Sequence, residues 1–131
     1  MSERAAASVM APGAWRPRRS YFAGSNVTLI MDETIDGADL YGGLNVLAPG
    51  HEIPLHWHDV GELQFILSGT GIALGPNGEK TEIGPRWTVF APAGPAGAHG
   101  FRNTGLVPLE IFFFYPSAGG RAPEVHLVEG D

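Results

Sequence analysis

Glycine and proline break this chain so often that no long helix fits between them. Nineteen Gly and eleven Pro are spread through 131 residues, and the apolar runs between them are short. Those runs fall at 27–31, 40–47, 63–67, 71–74, 80–83, 87–91, 99–103 and 109–115. Each has the length of a strand and is too short for an amphipathic helix. Pro76-Asn77-Gly78 marks a hairpin turn, and Gly42-Gly43 inside the second run points to a bulge or a close backbone approach. Regular short strands with a turn residue between them predict an all-β sandwich or barrel, with no internal repeat.

A hydrophobic fraction of 44% is enough for one packed core. Residues 23–131 are therefore read as a single domain. Residues 1–22 are read as an N-terminal arm, flexible or exchanged as a strand with a second subunit. Arg4, Arg16, Arg18 and Arg19 make up half of the eight basic residues, and Tyr21 and Phe22 could anchor the arm. A net charge of −6 argues against nucleic-acid binding, which needs a basic face. With no cysteine, disulfides, thiolate metal ligands and a Cys nucleophile are excluded. That absence fits a reducing, cytoplasmic setting. No run has the length of a membrane span, and the 5–11 stretch is too short and too weakly apolar for a secretion signal.

Chemistry concentrates between Gly50 and Gly69. On a strand His56 and His58 share a face, because side chains repeat every two residues. Asp59-Val60-Gly61 is a turn signal, and Glu62 opens the next apolar run. If that run pairs with the histidine strand, a carboxylate lies beside two imidazoles, which is a donor set for a divalent transition metal. Two histidines at this spacing also suit the polar outer face of a hairpin. Glu62 and a fourth candidate, His99, favour the metal.

The segment resembles the first motif of the cupin family, in which Gly, His-x-His, Glu and Gly recur at set spacings. Gly50, His56, His58, Glu62 and Gly69 fit it residue for residue. Gly84, Pro92, Gly94, His99 and Asn103 resemble the second motif, with two departures. Seven residues separate Gly84 from Pro92 and four separate Gly94 from His99, each longer than the family pattern. The resemblance implies a double-stranded β-helix, or jelly-roll barrel, enclosing a ligand cavity. It also implies one divalent metal (Fe, Mn, Ni or Zn) held by His56, His58, Glu62 and His99, and a homodimer.

Period-two reading extends the site. With Glu62 inward, Gln64 and Ile66 also point in, while Leu63, Phe65 and Leu67 point out and need cover. Gln64 is the catalytic candidate, contacting substrate or a metal-bound water; it could equally satisfy Glu62 or a buried backbone group. Phe101 is expected as a wall and Asn103 as a turn-fixing residue. Further wall candidates are Leu44, Val46, Ile72, Leu74, Trp87, Val89 and alternate members of 111–115, which suit a small organic substrate. Arg86 and Arg102 could anchor a carboxylate but are read as surface, like His51 and His126. Tyr41 and Tyr115 are read mainly as core. No phosphate-cradling loop or Gly-x-Ser-x-Gly elbow occurs.

The resulting expectation is a metal-dependent enzyme acting on a small organic molecule, with dioxygenase-type oxidative cleavage the leading version. An isomerase, lyase or cyclase on the same metal is open. So are a binding or sensor module without turnover and a metal-free structural dimer. Fold alone does not choose among them.

Overall fold

The computed structural model describes residues 7–128, and the short runs of the sequence are its strands. In chain order these are β1 (Arg16–Arg18), β2 (Ser25–Met31), β3 (Leu40–Leu47), β4 (Glu52–Trp57), β5 (Glu62–Ser68) and β6 (Gly71–Leu74). They continue as β7 (Lys80–Ile83), β8 (Thr88–Ala91), β9 (His99–Arg102), β10 (Leu109–Pro116) and β11 (His126–Leu127). Two antiparallel sheets result, one ordered β1-β2-β3-β10-β5-β8 and the other β11-β4-β9-β6-β7. This is the expected double-stranded β-helix. Helical geometry among the described residues is confined to three-residue 3₁₀ turns.

The Gly42-Gly43 pair is a point of close approach. β3 is clamped between β2 and β10, and the β2 register shifts between Leu29 and Met31 opposite these glycines. A Cβ on Gly43 would run into the Thr28 carbonyl, and one on Gly42 into the Phe113 carbonyl. Backbone cannot swing aside as a side chain can. Gly43→Ala is therefore expected to destabilise the fold by about 1–3 kcal/mol or more, read as a lower urea midpoint at unchanged slope.

Two apolar clusters fill the interior. Leu47, Ile53, Ile66, Ile83, Phe101, Leu109 and Ile111 form one; Val27, Leu29, Tyr41, Phe113 and Tyr115 form the other. Alternation on β5 follows the sequence reading. Glu62, Gln64 and Ile66 are buried, whereas Leu63 and Leu67 are 50% and 42% exposed. Trp87 and Phe90, near β5 on and beside the edge strand β8, are exposed too. The single chain thus leaves this outer apolar face uncovered.

Part of the N-terminal arm is docked in this chain. β1 pairs with β2, Arg18 lying opposite Val27. Arg16 is ion-paired with Asp32, and its hydrogen bond is the main reason the Asp32 carboxyl falls to about 2. Trp15 packs edge-on against Phe112 at 6.3 Å. Residues 1–6 of the arm, Arg4 included, and 129–131 of the domain lie outside the described residues.

Candidate metal centre

The sequence leaves it conditional whether the Glu62 strand pairs with the histidine strand, and it does not. β4 lies in one sheet beside β9 and β11, while β5 lies in the other beside β10 and β8. Convergence comes instead from the two sheets facing each other across the barrel. His56 on β4 sits opposite His99 on β9, His58 follows the end of β4, and Glu62 reaches them from β5. The ligand atoms of His56, His58, Glu62 and His99 all lie within 4.8 Å of one another, and all four residues are buried. Glu62 Oε1 is 2.6 Å from His99 Nε2 and 3.5 Å from His58 Nε2.

Backbone carbonyls aim the imidazoles. Nδ1 of His56 donates to Pro54 O at 2.8 Å, that of His58 to Glu124 O at 2.7 Å, and that of His99 to Gly97 O at 2.9 Å. A carbonyl can only accept, so each Nδ1 carries the hydrogen and each neutral ring presents a bare Nε2 lone pair. Orienting metal-binding histidines through the opposite nitrogen is a general device. The lengthened loop before His99 performs this task with its motif residues in place. Gly94, at φ 91°, donates its N–H to His58 O at 2.8 Å. Asn103 donates to Leu47 O and Val107 O and accepts from Gly105 N–H, the turn-fixing role read from the sequence.

The donor set fits a divalent metal. Glu62 Oε1 and His99 Nε2 are buried and, despite their proximity, lack a well-formed hydrogen bond. Orphaned buried polar atoms are rare unless something else partners them. Mixed imidazole and carboxylate ligands suit iron, manganese, nickel or zinc.

Protonation follows from the same geometry. Burial, helped by neighbouring His99, pushes the His56 imidazole down to about 4, and burial also lowers His58. Both are ready ligands at neutral pH. Burial pulls His99 down as well, but the Glu62 carboxylate beside it outweighs that, so its pKa ends raised. Without metal, His99 therefore keeps its proton beyond the ordinary imidazole value near 6.5. A metal must displace that proton. Affinity is expected to fall about tenfold per pH unit below the His99 pKa, with one proton released per metal. Calorimetry in buffers of different ionisation enthalpy reads both.

Gln64 is buried in the cavity beside the cluster, its Oε1 without a partner. Phe101, Ile111 and Phe113 line that cavity as expected. Other wall expectations fail. On β3 the lining residues are Tyr41 and Asn45 rather than Leu44 and Val46; Ile72, Leu74, Trp87 and Val89 lie elsewhere. Arg102 pairs with Glu52 at the surface and Arg86 is exposed. His51 is exposed, and His126 stacks on Trp57 at 4.1 Å and bonds Asp59.

Two groups in the cavity exceed the sequence reading. Tyr115, read as core, places its hydroxyl 3.1 Å from His58 Nε2. Burial first, then the Glu62 carboxylate, raises its phenol well above 10. Arg18, from the supposed tail, lines the cavity from β1. A weak signal for it was available: Arg16-Pro17-Arg18 has the alternation of a short edge strand.

The sequence matches the cupin domain family over residues 43–115, and the chain belongs to that family. No curated protein sequence matches it. Its fold is similar to that of the polyketide cyclase RemF from Streptomyces resistomycificus, at 21% identity and a TM-score of 0.77, covering 96% of this chain and 88% of that one. A predicted oxalate decarboxylase from Thermotoga maritima is similar at 23% identity and a TM-score of 0.68, with 85% and 100% covered. The DMSP lyase DddQ from Ruegeria pomeroyi is similar at 21% identity and a TM-score of 0.68, with 86% of this chain and 61% of that one covered. These likenesses establish the fold. No helix among the described residues is long and apolar enough to cross a membrane.

Proposed function

We propose that this cupin is a metal-dependent enzyme that moves a proton on a small organic substrate, as a lyase, cyclase or isomerase does. The observation that carries this reading is the buried, protonated Tyr115 phenol beside the metal-ligand cluster. A proton held at a fixed atom next to a Lewis-acid site is what enolisation, elimination and cyclisation share. A divalent metal held by His56, His58, Glu62 and His99 would supply polarisation of a substrate oxygen. Tyr115 hydrogen-bonds the developing enolate oxygen through its hydroxyl while the C–H proton leaves to a water, and Gln64 offers an amide to orient the substrate. Ile53, Phe101, Ile111 and Phe113 give apolar walls that exclude water. The named structural neighbours are described as a cyclase, a decarboxylase and a lyase, which supports this class over the oxidative cleavage expected from sequence.

The test is hydrogen exchange in D₂O by the metal-reconstituted protein, over a panel of 1,3-dicarbonyl and hydroxy-acid compounds. Loss of an acidic C–H signal in NMR, faster than with free metal, is the expected result, with no oxygen uptake in a parallel electrode trace. Uptake without exchange would restore the dioxygenase reading. Neither signal would leave a binding module.

A further inference from the structure

We infer that Arg18 is the substrate-anchoring residue of this cavity and that the substrate carries a carboxylate. The inference rests on the metal-site reading above and deepens it by naming the chemical class that fits. Arg18 lines the same cavity as His56, His58, Glu62 and Gln64. Its Nη1 donates to the Tyr41 hydroxyl at 2.9 Å, and its guanidinium lies 4.6 Å over the Tyr21 ring and 6.0 Å from that of Phe113. The fork is thus held in place before any ligand arrives.

What it lacks is an anion. Fourteen acidic residues are available in the chain, and Arg16 and Arg102 each take one. Among the described residues Arg18 pairs with none, and its Nε is buried without a hydrogen-bond partner. A half-buried guanidinium with its Nε edge cut off from water and unsatisfied is costly unless an acceptor is supplied. A purely structural pin of β1 to β3 would need only the Tyr41 contact, which uses Nη1 and leaves the Nε edge open. That edge matches a carboxylate, the geometry for which arginine is suited. A small acid with a carbonyl or hydroxyl oxygen would then place the carboxylate at Arg18 and the second oxygen toward the histidine cluster.

Acetoacetate and acetylacetone test this. Both are small 1,3-dicarbonyls, and only the first carries a carboxylate. An anion is drawn to a metal in any case, so the decisive quantity is the change in their affinity ratio when Arg18 is replaced. Calorimetric titration of the zinc-loaded and metal-free full-length protein is compared with Arg18→Gln and Arg18→Lys, with melting curves and elemental analysis on each. The acetoacetate preference is expected to drop at least about tenfold in Arg18→Gln and to recover in part in Arg18→Lys. A preference unchanged in both variants, or none in the wild type, overturns the assignment. If Arg18→Gln does not fold, the wild-type and Arg18→Lys ratios decide, since loss of the planar fork alone should weaken the preference. A chain that takes up no zinc yet keeps an Arg18-dependent carboxylate preference would overturn the metal reading and support the anchor.

Discussion

Glu62→Gln is expected to abolish stable metal binding while leaving the metal-free fold nearly as stable as before. Glu62 is the only anionic member of the cluster, and the substitution keeps its shape. It leaves three imidazoles and a neutral amide oxygen, so affinity should fall by more than about a hundredfold, beyond the loss typical of disturbing an outer partner. The metal-free protein has an unusual protection against the change. Breaking a buried ion pair is normally severe because one charge is left uncompensated. Here the partner is His99, whose raised pKa depends on Glu62. Once the carboxylate is gone, His99 sheds its proton and no charge is stranded, so the expected cost is within about 1 kcal/mol. Thermal melts with and without metal separate the two effects. Metal at a thousand times its Kd stabilises the wild type by about 4 kcal/mol, a rise in Tm of about 10 °C or more. Glu62→Gln should melt near the metal-free wild type and show no such rise. A full rise in the variant would remove Glu62 from the ligand set.

The features legible in the sequence are those that local chemistry fixes. Gly and Pro punctuate the strands, so runs such as 71–74 and 80–83 coincide with β6 and β7. Alternation was readable on β5 because Glu62 supplied an inward reference point, from which Gln64 and the exposed Leu63 and Leu67 follow. β3 had no such reference. It is buried at Tyr41, Gly42 and Gly43 in succession and half-buried at the next three residues, because it is clamped on both edges and bulged against β2. A period of two gives relative positions and not absolute phase, so it does not distinguish Leu44 and Val46 from Tyr41 and Asn45, which line the cavity. The partition of β4 and β5 between sheets is a non-local outcome that no short window contains. The same holds for β1 and β11, of three and two residues, which exist only because a long neighbour offers an edge. Arg18 was hidden with them. A residue in an apparently unstructured arm reads as solvated until the strand that carries it into the cavity is seen.

Tyr115→Phe is expected to reduce proton exchange by about a hundredfold to ten-thousandfold while metal content and Tm stay near wild type. The ring is held by its neighbours and not by its hydroxyl. It packs edge-on against His58 at 4.8 Å and against Phe113 at 5.8 Å, and lies tilted 6.1 Å from Tyr41. Phenylalanine preserves each of these contacts. The hydroxyl lies beside the His58 Nε2 lone pair, the atom His58 would offer a metal, and near the Glu62 carboxylate, so deleting it removes a competitor for those donors and should not weaken metal uptake. The phenol's raised pKa fixes its role: across neutral pH the proton stays on oxygen, so Tyr115 delivers a proton or hydrogen-bonds a developing anion and does not act as a free phenolate. Loss of the hydroxyl should therefore lower kcat far more than it raises KM. A structural role would give the reverse pattern, with a lower Tm and a rate that survives in the fraction still folded. Retention of wild-type exchange by a well-folded, metal-replete Tyr115→Phe protein would move the proton elsewhere in the cavity and leave a bound water as its carrier.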